Sequence, residues 1–201
     1  MWLKYTDILA LFCPDGISYR DYFSISQKVV VFFVIYVTIK KTKQRRNRGA
    51  FMTRAKAREL AVHLIYERCF TGSDPKQAVD ARLNKNYYAM LCGEHDVYAD
   101  RPNAALKAYI YSVVSGVACR ETELNELIQK YSVGWDISRI SNLARSIMQL
   151  AIFEARYLDD VPVSVAISEA VRIVKLYDGN ETAGFVNGIL GAFARDTEGL
   201  V

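Results

Sequence analysis

Apolar residues recur at helical spacing near the C-terminal end of the chain. In residues 161–178 they return every three or four positions, with Glu169, Arg172 and Lys175 between them. The apolar positions are Val163, Ala166, Ile167, Ala170, Val171 and Val174. This period is typical of an amphipathic helix, and Pro162 suits its first turn, where the missing N–H costs nothing. The pattern therefore predicts a helix that begins beside Pro162.

A polar turn at Asp178, Gly179 and Asn180 ends this helix, and we expect Asn180 or Thr182 to cap the next one. The apolar stripe of that next helix consists of Phe185, Val186, Ile189, Leu190 and Phe193. Three glycines interrupt it: Gly184, Gly188 and Gly191. Each glycine costs a helix about 1 kcal/mol relative to alanine, so we expect another backbone to approach this helix closely.

Upstream, further apolar stripes predict helices that begin near Thr53, Pro75, residue 104, residue 122 and a cap at Asp136 or Ser138. Nothing after residue 51 favours a strand. The predicted fold class is all-α, with about seven helices in two small bundles packed together. Residues 52–133 form the first bundle, with a basic first helix, and residues 134–198 form the second. Trp135, at the seam between them, is interpreted as a packing anchor.

Residues 1–51 do not fit this design. Their continuous apolar run, residues 29–37, is shorter than the roughly 20 residues that a membrane span needs. Basic residues follow that run instead of preceding it, which disfavours a signal peptide. We favour a third interpretation, in which translation begins at Met52 and residues 1–51 are an extension from a mis-called start or a disordered segment.

Charge is divided unevenly along the chain. Residues 1–51 carry nine Lys or Arg against three Asp, a net charge of +6, whereas the remainder has a net charge of −2. Any nucleic-acid contact in the helical part must therefore come from a local cluster. The four cysteines have no paired spacing, which indicates a reduced, cytoplasmic compartment. Cys92 and His95 form a lone C-x-x-H pair, too few ligands for a zinc site.

Motifs of catalysis are absent from the sequence. It contains no phosphate-binding glycine loop, no nucleophile elbow and no zinc-protease motif. Glu154, Asp159 and Asp160 fit a helix end and a loop better than an acid–base pair. We therefore expect no enzyme activity, no cofactor and no metal.

Three stretches resemble one family, in the same order. VPVSVAISEAVRIVKLYDGNETAGFVNGIL is similar to the C-terminal signature of the NusB family of bacterial transcription antitermination factors, roughly P-x-x-V-A-I-N-E-A, A-K-x-[YF] and F-V-N-G-[VI]-L. WDISRISNLARSIMQLAIFEARYL resembles the helix that precedes this signature in the family. MTRAKARELAVHLIYE resembles the family's basic first helix. The resemblance covers about residues 52–196.

The resemblance implies RNA binding in the antitermination of ribosomal RNA transcription, through the boxA RNA element. Arginine and lysine suit phosphates, and aromatic rings suit unpaired bases. By resemblance, the phosphate contacts are Arg54, Lys56 and Arg58. The surfaces for bases are Tyr66 and Phe185, with Glu181 at their rim.

The resemblance also implies protein partners. These are the ribosomal small-subunit protein NusE, bound near Val163 and Glu169, and RNA polymerase in an antitermination complex. Ser168 stands where the family usually has Asn. The sequence does not decide whether the chain forms a homodimer. No membrane contact is expected. Two alternatives remain: a protein-binding helical adaptor without RNA contact, tethered to a membrane by residues 29–37, and a stand-alone relative of the RNA-binding module of RNA cytosine methyltransferases.

Overall fold

The computed structural model describes residues 52–92 and 95–198, the last without its side chain, and these ranges contain helices and no strand. Their eight α-helices are α1 (Arg54–Thr71), α2 (Pro75–Leu83), α3 (Lys85–Leu91), α4 (Ala104–Cys119), α5 (Glu121–Tyr131), α6 (Asn142–Tyr157), α7 (Val163–Tyr177) and α8 (Gly179–Glu198). Short 3₁₀ helices span Asp96–Tyr98 and Ile137–Arg139. The all-α prediction is therefore confirmed. The predictions for residues 1–51 lie outside the described residues.

Side-chain caps set several helix starts. Thr53 caps α1, as predicted, because its hydroxyl oxygen accepts the Lys56 N–H at 3.3 Å. The predicted cap of α6 at Asp136 or Ser138 is wrong, since the 3₁₀ helix intervenes. Asp136 accepts the Ser138 N–H of that 3₁₀ helix at 2.8 Å, and Ser141 caps α6.

The corner between α7 and α8 is tighter than the sequence predicts. The Asp178 N–H still donates to the Val174 carbonyl at 2.7 Å, and α8 begins at the next residue. Gly179 makes this reversal with φ of +89°, a conformation that is costly for residues with a Cβ. Asn180 and Thr182 therefore lie inside α8, and the prediction that one of them caps it is wrong.

Helix α6 is at the centre of the bundle. It packs against α1, α4, α5, α7 and α8, and ten of its sixteen residues are buried. One continuous hydrophobic core crosses residue 133, from Leu60 in α1 to Leu190 in α8. The division into two bundles at that residue stays a prediction.

The close helix approach occurs at a different glycine from those predicted. A Cβ on Gly184 or Gly188 of α8 would meet nothing within 4 Å, so the expectation of a neighbouring backbone there is wrong. A Cβ on Gly116 of α4 would instead lie 2.1 Å from the Phe153 ring of α6. Gly116 is therefore what lets α4 and α6 approach.

Candidate RNA-binding surface

The N-terminal end of α1 presents two basic side chains. The Arg54 guanidinium lies 3.8 Å from the centre of the Tyr109 ring, and its Nη1 is 3.2 Å from the Asp160 carboxylate. Lys56 Nζ is 3.0 Å from the Asp100 carboxylate. The two basic side chains are 34% and 32% exposed. Partly exposed pairs contribute only about 0–1 kcal/mol, so an RNA phosphate can replace either aspartate at small cost.

Arg58, the third predicted phosphate contact, lies in the core. Its Nε–H donates to both carboxylate oxygens of Glu154, at 3.0 and 2.9 Å, and the Tyr109 hydroxyl donates to the same carboxylate at 2.8 Å. The side chains of Arg58 and Glu154 are 8% and 1% exposed. Burial acts to lower the pKa of Arg58, but the charge and hydrogen bonds of Glu154, together with Tyr109 and Glu169, outweigh burial and raise that pKa. Arg58 holds α1 against α6, and a phosphate contact would require this pair to open.

Polar contacts continue from this pair to α7. Glu169 lies 4.0 Å from Arg58 Nη1 and accepts a hydrogen bond from Arg172 Nη2 at 3.1 Å. Arg172 Nη1 is in turn 3.8 Å from Glu59, which also accepts a hydrogen bond from the Tyr177 hydroxyl. These contacts fix the register of α7 along α1.

Tyr66 lies at the other end of α1, about 18 Å from Arg54 along the helix axis at 1.5 Å per residue. Its ring meets Phe70 edge to face with centroids 5.0 Å apart, and Phe70 is 42% exposed. Burial, with the nearby Cys69 and Asp178, raises the pKa of Tyr66 to about 12. The phenol therefore stays neutral, and it lies close to the corner between α7 and α8.

A second aromatic pair lies on α8 and the loop before α6. Phe185 is half-buried and meets Trp135 with ring centroids 5.4 Å apart at 60°. The Arg139 guanidinium lies 5.3 Å from the centre of the Trp135 ring. Trp135 is 47% exposed, so it is a surface residue and not the predicted packing anchor. Glu181 is exposed in the first turn of α8, where a negative charge suits the helix dipole.

The two aromatic pairs belong to the same end of the bundle. After burial and Cys69, the Asp178 charge is a further cause of the raised pKa of Tyr66. The Asp178 carboxylate accepts a hydrogen bond from the Ser141 hydroxyl at 3.3 Å. Ser141 follows Arg139 by two residues. The six predicted RNA contacts thus fall into two groups: Arg54, Lys56 and Arg58 in the first turns of α1, and Tyr66 in its second half with Glu181 and Phe185 on α8. Sequence reasoning interprets Trp135 as a packing anchor and does not single out Arg139, although this tryptophan stands among the turn residues of 132–136.

The two predicted partner contacts lie on different faces of α7. Six residues at about 100° each place Val163 and Glu169 about 120° apart around the helix axis. Val163 lines an open, mostly apolar groove of about 480 Å³ between α7 and α8, together with Ile167 and Val171. Glu169 belongs to the polar contacts with α1. The structure does not bring these two residues together.

Both histidines of the chain lie in the described residues and are kept neutral. The rings of His63 and His95 meet at 5.8 Å, and burial lowers the pKa of both. Within residues 52–92 and 95–198, no group of three or more His, Cys, Asp or Glu is placed to hold a metal ion. Across the same part of the chain, no helix combines the length and apolar character that crossing a membrane requires.

The fold and this surface define a helical protein with exposed basic and aromatic side chains. The pattern of the NusB family matches residues 55–195. The transcription antitermination protein NusB of Acetivibrio thermocellus is 37% identical over 140 residues, 70% of this chain and 87% of that protein. The protein of the same name from Symbiobacterium thermophilum is 34% identical over 148 residues, 74% of this chain and 93% of that protein. The chain belongs to the NusB family.

Solved structures share the fold. T. maritima NusB matches with a TM-score of 0.60 and 24% identity, over 73% of this chain and 93% of that chain. A structure described as antitermination factors NusB and NusE in complex with double-stranded RNA matches with a TM-score of 0.58 and 22% identity, over 71% of this chain and 96% of that chain. At these identities the similarities bear on the fold alone.

Proposed function

We propose that this chain is an RNA-binding transcription antitermination factor, which binds boxA RNA of ribosomal RNA operons together with NusE and acts on elongating RNA polymerase. The observation that carries the proposal is the 37% identity to an antitermination protein, over 87% of that protein's length. This coverage favours antitermination over the adaptor and methyltransferase-module alternatives. Such a factor would work in the cytoplasm, beside RNA polymerase.

The two ends of α1 supply different contacts in this proposal. Arg54 and Lys56 exchange their aspartate partners for RNA phosphates, and Tyr66 and Phe185 hold unpaired bases. Arg58 acts indirectly, because its buried pair with Glu154 fixes α1 on α6. Proteins commonly hold unpaired RNA by combining backbone contacts with base stacking on aromatic rings.

NusE is proposed to bind on α7 and α8. The apolar groove beside Val163 offers a continuous contact surface, and α7 is held firmly by the polar contacts of Glu169 with α1. Glu181, at the rim of the RNA surface, disfavours phosphate close to the α8 N-terminus. A second protein that contributes positive charge would offset this repulsion, which favours joint binding.

A transcription assay with purified components tests the function. The template carries boxA upstream of a terminator, and the reaction contains bacterial RNA polymerase, the other Nus factors and NusE. We expect the full chain to raise the fraction of transcripts that pass the terminator, and to have no effect when boxA is scrambled. Equal readthrough with and without the protein, or with either template, would overturn the proposal.

A further inference from the structure

Trp135 is held in place by hydrogen bonds on both sides of its backbone. Its N–H donates to the Ser132 carbonyl at 3.0 Å. Its own carbonyl accepts from Gln129 Nε2 at 2.9 Å and from the Ser132 hydroxyl at 3.3 Å. The Gln129 side chain also accepts the Ile137 N–H at 2.8 Å. The Gln129 side chain thus holds the loop at Trp135 itself and at Ile137, two residues later.

This rigid loop presents apolar side chains to solvent. Gly134 turns the chain with φ of +80°, and its neighbours Val133 and Trp135 are 89% and 47% exposed. Large exposed apolar groups in an ordered setting commonly mark a binding surface. Because the loop is already ordered, a ligand that stacks on the indole loses little additional conformational entropy on binding.

A cation and a second ring accompany the indole. Arg139 packs over Trp135, and Phe185 meets the indole edge-on. Within the described part of the chain, Arg139 makes no salt bridge at 4.0 Å or less. The nearby Asp136 carboxylate accepts the Ser138 N–H instead. The Ser138 hydrogen bonds and, to a smaller extent, the Arg139 charge lower the pKa of Asp136, so Arg139 faces this carboxylate without a salt bridge that a phosphate would have to break.

We propose that Trp135 and Arg139, beside Phe185, form an additional base-stacking site for single-stranded RNA. The indole stacks on an unpaired base, and the Arg139 guanidinium meets the phosphate next to that base. Stacking of this kind tolerates any base and is usually combined with cationic contacts to the backbone. This inference rests on the proposed RNA-binding function and adds two residues to its contact surface.

The surroundings of Trp135 favour RNA over a protein ligand. Hot-spot tryptophans in protein interfaces lie within a ring of contacts that exclude water. Here the loop beside the indole carries the exposed polar residues Asp136, Ser138 and Arg139. Tyr66 and Phe70 form a second aromatic pair on α1, with ring centroids 5.0 Å apart, and such a pair offers a further surface on which a base can stack.

Fluorescence of the full chain tests the stacking directly. The chain has two tryptophans, so Trp2→Phe leaves Trp135 as the sole indole. This variant is titrated with a short single-stranded boxA RNA in the presence of tryptophan-free NusE. We expect stacking to quench the Trp135 emission strongly, and we expect no quenching from an RNA of the same length with abasic positions. Unchanged emission at saturating boxA RNA would overturn the inference.

Affinity measurements separate this inference from the proposed function. We expect Trp135→Ala to weaken RNA binding by about 5- to 100-fold, the range of one lost stacking contact, and Trp135→Phe to retain most of the affinity. Val133→Ala, in the same loop and more exposed, is the matched control and should bind as the wild type does. Circular dichroism establishes that each variant is folded. If Trp135→Ala does not fold, the fluorescence titration of Trp2→Phe decides.

The salt dependence distinguishes the roles of the two residues. Arg139→Gln should reduce the slope of log affinity against log salt by about 0.7, the value for one phosphate contact on a single strand, whereas Trp135→Ala should leave that slope unchanged. Equal RNA affinity of wild type and folded Trp135→Ala would overturn the stacking site and leave the proposed function intact. If Trp135→Ala loses NusE binding but keeps its RNA affinity, the surface around Trp135 binds protein, and the inference is overturned. If wild type and Val133→Ala both fail to bind, the proposed function itself fails.

Discussion

Arg54, Lys56 and Arg58 look alike in the sequence and have different surroundings in the folded chain. The resemblance assigned all three to phosphate, and their spacing alone does not separate them. Arg58 differs because a carboxylate from α6, 96 residues away in the chain, lies against it. Local sequence shows which positions are basic, but the acid that faces each one comes from a distant helix or loop, and only the fold shows it.

The buried pair gives a stability prediction at the residue scale. Glu154→Gln removes the anion that faces the buried Arg58 guanidinium, and we expect the free energy of unfolding to fall by about 3–5 kcal/mol. Urea denaturation of the full chain measures it. The matched control is Glu123→Gln, because Glu123 also faces an arginine and a tyrosine, Arg156 and Tyr157, but at the surface. That change should cost at most about 1 kcal/mol, and equal losses in the two variants would contradict the assignment.

His63 gives a prediction on pH. Burial holds the pKa of His63 well below 6.5 in the folded chain, so the unfolded chain binds more protons below that pH. The stability that is present above about pH 6.5 should therefore be lost as the pH falls below it. The loss is at most about 1.4 kcal/mol per pH unit for one group. In His63→Gln, urea denaturation between about pH 7.5 and 5.5 should show a smaller loss than in wild type. Parallel losses would show that His63 is not responsible.

At the scale of helices, the sequence predicted the elements better than their contacts. Helical periods and the cap at Thr53 identified seven of the eight helices in the described residues, because these signals are local, but the short helix α3 was not predicted. Contacts between helices were harder to predict. The glycines of α8 suggested a close approach of another backbone, which the structure does not show at Gly184 or Gly188. The close approach occurs at Gly116 of α4, which stands in an apolar stretch without any local signal. A glycine can be interpreted as a site of close helix packing only when the residue that faces it, here Phe153, is known.

These glycines form a matched pair for mutation. Gly116→Ala would place a methyl carbon 2.1 Å from the nearest carbon of the Phe153 ring. We therefore expect a loss of about 1–3 kcal/mol from overpacking, despite the gain in helix propensity. Gly188→Ala has open space and should stabilise the chain by up to about 1 kcal/mol. Thermal or urea unfolding compares the two variants. A stabilised Gly116→Ala, or a destabilised Gly188→Ala, would contradict the packing described.

At the scale of the whole molecule, RNA binding depends on where charge lies. Residues 52–201 have a net charge of −2, so no general attraction draws RNA to the helical body. The available cations are local, and two of them face aspartates. The sequence predicted this need for a local cluster from charge counts alone. It could not predict the neighbouring aspartates, nor the exposure of Trp135, because both depend on how the loops fold back on the helices.

The aspartate beside Lys56 gives a prediction of tighter binding. Asp100→Asn removes the anion that competes with an RNA phosphate for Lys56, and we expect boxA RNA to bind up to about fivefold more tightly, as the loss of a competing pair of about 1 kcal/mol implies. Glu126→Gln, which is exposed on α5 and removes the same charge, is the control. Its effect should be small. Equal effects of the two changes would indicate that net charge alone matters and that Lys56 has no special role.

The most direct measurement is the affinity of the full chain for fluorescently labelled single-stranded boxA RNA, followed by anisotropy at moderate salt with and without saturating NusE. We expect binding that NusE strengthens, that weakens as salt is raised, and that a scrambled RNA of equal length does not reproduce. Anisotropy that stays flat with NusE present, or equal affinity for the scrambled RNA, would contradict the proposal that this helical surface binds boxA RNA jointly with NusE.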